Sequence, residues 1–69
     1  MTDTTHAIAV QAIATHGPAN AARLYREAEA AHYAEAQWCD MASDERRKLQ
    51  LAESYGRIAA MIEQLTGEA

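Results

Sequence analysis

The stretch Trp38 to Arg47, WCDMASDERR, decides how this chain folds. To its left nothing from Pro18 onward breaks a helix, and to its right an apolar periodicity continues to Thr66, where Gly67 is the natural stop. Between them Ser43 has the side chain to end one helix and cap the next, because its hydroxyl can accept from the free N–H groups of a first turn. Asp44 and Glu45 then fall in that first turn, where carboxylates favour the helix dipole. The reading is a helix over residues 18–42, a connection of one to three residues, and a helix over residues 44–66. So short a connection forces two long helices antiparallel, as an αα-hairpin.

Working outward, Gly17 and Pro18 end a first helix over residues 4–16 and start the second, with Asp3 or Thr4 as the first N-cap. The apolar residues of that first helix go nearly all the way round it. A helix of this kind must be covered on more than one face. The hairpin covers one face, and a second subunit or a partner is expected on another, with Ile8, Val10 and Ile13 at the dimer interface. The expected architecture is therefore all-α: one domain, a short N-terminal helix packed on a long antiparallel αα-hairpin, in a dimeric helical bundle. No strand alternation, internal repeat, low-complexity run or linker interrupts it.

The third helix carries a heptad seam, with Leu51, Tyr55, Ile58, Ile62 and Leu65 at steps of four and three. Beside it lies a stripe of Leu49, Ala52, Gly56 and Ala59, small enough for close helix approach. The matching face of the second helix reads Ala21, Leu24, Tyr25, Ala28, Ala31, His32, Glu35, Trp38, Cys39 and Ala42. The opposite face, with Arg26, Glu29, Tyr33, Gln37 and Asp40, is polar. Glu35 sits inside the apolar stripe, so either that edge is wet or the carboxylate meets a cation such as Arg57 or a histidine.

Composition limits what such a fold can do. Of 34 apolar residues among 69, 17 are alanine and none is phenylalanine. A chain this short buries only about 60% of its unfolded surface, and a single small core supplies roughly 3–5 kcal/mol. One cysteine excludes an internal disulfide, which leaves a metal, self-association or another protein as reinforcement. A net charge of −4 and a pI near 5.2 disfavour nucleic-acid backbones. The N-terminal segment has no positive n-region and no long apolar run, so neither a leader nor a membrane span is expected, and the cytoplasm is the expected location.

The residues that could carry chemistry do not assemble a reaction centre. His32 and Cys39 are seven positions apart, two helical turns, whereas paired zinc ligands on one helix are one turn apart. Cys39 near a helix C-terminus has the dipole against thiolate formation, and no phosphate loop, GxSxG or HExxH occurs. The nearby carboxylates, Glu27 with Glu29 and Asp44 with Glu45, point to different helical faces. No enzyme, metal or cofactor is expected. Lys48 is placed to pair with Asp44, and Arg57 with Glu53, at i,i+4.

Two binding readings compete. AIATHGPANAARL resembles the first half of a helix-turn-helix, which would make the chain a DNA-binding transcriptional regulator with a degenerate motif. The continuation carries Glu27, Glu29 and Glu35 where a basic recognition helix belongs. The other reading is protein–protein interaction. Trp, Tyr and Arg dominate interface hot spots, and Tyr33, Trp38, Arg46, Arg47 and Tyr55 are the expected partner contacts, with the basic run beside Trp38 suited to an acidic partner.

Tyr25, Arg26, Ala28 and Glu29, then Asp44, Glu45 and Arg46, then Leu51, Ala52, Glu53, Tyr55 and Ala59 form a pattern spread over about half the chain. It resembles short uncharacterised bacterial helical-hairpin proteins, which have no assigned activity. The resemblance implies a hairpin and no function. The reading as a whole is a small non-enzymatic interaction module, a regulator, adaptor or inhibitor, working as a homodimer that docks a helical face on another protein. Size alone suggests a product of a phage or mobile element that blocks a host complex.

Overall fold

The computed structural model describes residues 4–67, which form three α-helices and no strand: α1 (Thr4–His16), α2 (Pro18–Ala36) and α3 (Ala42–Thr66). Asp3, one of the two expected caps of α1, lies outside the described residues. One residue separates α1 from α2. Gly17 does this at φ 85°, a left-handed backbone that costs glycine nothing and other residues steric strain. Its N–H donates to the Ile13 carbonyl and its carbonyl accepts from Ala21, so it makes one backbone bond with each of the helices it separates. Gly67, at φ 75°, closes α3 with its N–H on the Glu63 carbonyl.

The second connection differs from the one the sequence predicts. α2 stops at Ala36, not at Ala42, and α3 starts at Ala42, not at residue 44. Ala36 is the last residue of α2 held inside the fold, and past it Gln37 and Trp38 are exposed. With no glycine or proline to break the chain, the helix tapers instead: the N–H groups of Gln37, Trp38 and Cys39 donate to the carbonyls three residues back, a 3₁₀-type tightening. Met41 then adopts an extended backbone (φ −106°, ψ 135°) and takes the N-cap position, its carbonyl accepting from Glu45. Ser43 is inside α3 and no side chain caps that helix, while Asp44 and Glu45 do occupy its first turn.

α2 and α3 pack closely, and their contacts run in opposite order along the two helices: Arg26 meets Glu63, and Glu35 meets Lys48. Both stripes contribute buried residues, Ile58 and Ile62 from the heptad seam and the small residues beside it. Ala52, Gly56 and Ala59 are buried, whereas the ends of the heptad seam, Leu51 and Leu65, stay 38% and 45% exposed. Alanine and glycine let the two backbones approach here; a Cβ on Gly56 would run into the Glu29 carboxylate of α2.

The core gathers where α1 crosses the pair. Ala9 and Ala12 of α1, Ala21 and Ala22 of α2, and Ile58 and Ile62 of α3 are buried together, with Ile13, Tyr25 and Met61 packed around them. Ile62 is the one large side chain in it that is fully buried. Towards the other end of α2 and α3 the buried residues are Ala36 and Ala52, so the half of the fold near the bend rests on two helices with alanine between them.

Candidate functional site: the α2–α3 bend

The bend over residues 37–41 is where large apolar side chains stand in water. Trp38 is 83% exposed and Met41 63%, against 41% for Tyr33 in the last turns of α2. The tapering of α2 causes this. A helix continued through residue 42 would carry Trp38 on the stripe with Leu24 and Ala31; the tightened turn leaves it outside the packed pair. Beside the bend, Tyr33 and Ala36 of α2, Gln37 of the bend itself, and Glu45 and Leu49 of α3 line a shallow open groove.

The charges around the bend are mixed. Arg46 and Arg47 are both exposed and make no ion pair with a described residue. As neighbours on a helix they point about 100° apart, so they do not form one cationic patch. Asp40, Asp44 and Glu45 are also exposed. Lys48 turns across to α2, with its Nζ 2.7 Å from Glu35 Oε2, rather than back to Asp44. The hydrogen bond from Lys48, reinforced by its charge, holds the Glu35 carboxyl below its ordinary range, and the carboxylate in turn raises the lysine pKa. Glu35 thus meets a cation at a wet edge, 53% of its side chain exposed, and that cation is Lys48; Arg57 donates to Ser54 instead.

Tyr55 is placed otherwise than Tyr33 and Trp38. Its ring stacks on His32 at 5.1 Å with planes 7° apart and tilts against Tyr25 at 5.8 Å, so the three rings stitch α2 to α3. His32 Nδ1 is buried here without a hydrogen-bond partner; the Glu35 carboxylate, at 3.7 Å, is too far to serve. Cys39 is half-buried with its thiol on the Glu35 carbonyl at 3.4 Å. No group of three or more His, Cys, Asp or Glu side chains is arranged to hold a metal among the described residues.

On α1, Ile13 packs on the core cluster, while Ile8 and Val10 are 37% and 48% exposed. Two positions apart is about 200° around a helix, so Ile8 and Val10 diverge to different sides. Sequence reasoning missed Met41, which carries no motif, and the Arg26–Glu63 bridge, which depends on the register of α2 against α3. No family model, no curated protein and no solved structure matches the chain. No described helix is long and apolar enough to cross a membrane.

Proposed function

We propose that this chain is a small non-enzymatic interaction module, a regulator, adaptor or inhibitor built on an αα-hairpin, that works as a homodimer and docks its bend on another protein. The observation that carries the reading is Trp38, the chain's one tryptophan, held 83% exposed on a turn with Met41 close in sequence. A large aromatic costs free energy in water and is commonly an anchor when it fills a partner's pocket. Tyr33 and the open groove beside it extend the contact along α2. Arg46 and Arg47, uncommitted within the fold, would pair with carboxylates on the partner, and the exposed Asp40, Asp44 and Glu45 with its cations. Tyr55 acts indirectly, by holding α3 against α2 under the bend.

The test is affinity capture from cells of the source organism with wild-type protein and with Trp38→Ala and Met41→Ser. Because both side chains are mostly in water, the variants should keep wild-type circular dichroism. A partner held by the wild type and lost from both variants is the expected result. A partner retained equally by all three moves the docking site away from the bend. In the free protein Trp38 should also be quenched freely by acrylamide, and shielded once the partner is bound.

A further inference from the structure

We infer that His32, Glu35 and Lys48 form a proton-operated clasp beside the bend. When His32 takes up a proton, its Nδ1–H closes on the carboxylate that Lys48 already holds, and α2 is tied more firmly to α3 under the turn that carries Trp38. The inference concerns the bend itself and stands whether or not a partner docks there. Among the described residues, His32 Nδ1 is the buried side-chain polar atom that has no hydrogen bond. An imidazole can leave a bare nitrogen unpartnered at modest cost but not an N–H, so the neutral ring carries its proton on Nε2. Acid adds the second proton at Nδ1, where a buried donor then needs an acceptor.

Glu35 supplies it. Its Oε2 lies 3.7 Å from His32 Nδ1 and 2.7 Å from Lys48 Nζ, so one oxygen faces both cations. The longer gap has to close to about 2.9 Å, a small movement for a side chain that is half in water, and a carboxylate can accept from both donors. Lys48 holds the Glu35 carboxyl below its ordinary range, so it stays charged while an imidazole changes its own charge. The other groups around the ring leave Glu35 in this role. On α2, Glu29 is one turn back and bonded to Arg26, and the Cys39 thiol donates to the Glu35 carbonyl. On α3, the Tyr55 ring lies flat against the imidazole at 5.1 Å, where its face favours a cation, and Asp44 adds its charge near Lys48. From α1, His16 lines the groove of Tyr25 and Tyr55. Glu35 also anchors the turn, since its carbonyl accepts from the Trp38 N–H as well as from the Cys39 thiol. A proton held more firmly by the folded chain than by the unfolded one adds stability below the imidazole range, and that stability is lost as pH rises through it.

Urea unfolding of wild type and Glu35→Gln, each at about pH 8 and about pH 5.5, tests this. The same pair is repeated in a His32→Phe background, which keeps a ring for Tyr55 and takes up no proton. At the higher pH Glu35→Gln removes the Lys48 contact; at the lower pH it also removes the acceptor of His32. Its folding constant should therefore fall about threefold further below wild type at the lower pH, and by one factor at both pH values in the His32→Phe background. His6 and His16 are present in every variant and drop out of the comparison. An equal loss at both pH values with His32 present overturns the clasp, and so does a pH-dependent loss that persists without His32. If the variants unfold, the imidazole ¹⁵N–¹H spectrum of the wild type decides. The Nε2–H tautomer is expected at the higher pH, and at the lower pH an Nδ1–H protected from exchange with water. A proton on Nδ1 at the higher pH, or an Nδ1–H that exchanges as fast as an exposed imidazole's, refutes the inference.

Discussion

Arg26, near the middle of α2, makes three hydrogen bonds, two of which join it to Glu63 in the last turns of α3. Its Nε and Nη2 reach the two oxygens of Glu63 at 3.0 and 2.6 Å, and its Nη1 reaches Glu29 at 3.0 Å. The hydrogen bonds from Arg26 push the Glu63 carboxyl below its ordinary value near 4.5, and the two carboxylates raise the arginine pKa further. A depressed carboxyl pKa adds stability that is complete above the ordinary value and is lost as pH falls through the folded-state value. Arg26→Ala should therefore destabilise by about 1 kcal/mol at pH 7, the upper range for an exposed pair because the contact is bidentate and shared. The deficit should shrink towards zero below pH 4, when urea unfolding is followed across pH. Arg26→Lys should recover part of it, since an ammonium cannot make the paired contact. Nothing in the sequence pairs positions 26 and 63. The i,i+4 partner it offers for Lys48 loses to Glu35, because side chains across a close helix pair compete with those along one helix, while Arg57 donates to Ser54 one turn back on its own helix.

At the level of elements, the two glycine-marked ends were legible and the bend was not. Gly17 and Gly67 stand at positive φ as helix boundaries, where the sequence puts them, because only glycine takes that backbone without strain. Ser43 is a strong N-cap by residue type, but where a helix begins depends on where the chain leaves the preceding one. Packing ends α2 at Ala36, six residues before the expected limit, and the cap falls on Met41, which has no side-chain acceptor. Ser43→Ala should accordingly change stability by less than about 0.5 kcal/mol. Met41→Ser should stabilise by about 1 kcal/mol, measured by urea unfolding. The opposite pattern would return the cap to residue 43.

For the whole molecule, stability is concentrated in few atoms. Ile62 is fully buried where all three helices meet, and the rest of the buried core is Ile58 and alanine. Ile62→Ala removes three carbons there and should cost about 2–5 kcal/mol. That is comparable with the roughly 3–5 kcal/mol a single small core supplies, so the variant should lose its cooperative thermal transition in circular dichroism. The candidate site follows the same division. Trp38, Tyr33, Arg46 and Arg47 stood out in the sequence by chemical type alone and are exposed. Tyr55, of the same type, is stacked between helices instead.

What the sequence by itself determined is local. Helix propensity in an alanine-rich chain, with glycine and proline at the boundaries, specifies three helices and their outer limits, because those preferences act within a few residues. What the tertiary structure decided is which residues of two adjacent stripes on α3 are buried, where α2 ends and which charges meet. Those depend on how closely two backbones can approach. Ala52, Gly56 and Ala59 permit a close approach of the two backbones, Ile58 and Ile62 of the large seam are buried in the core with α1, and Leu51 and Leu65 at the ends of that seam stay partly exposed.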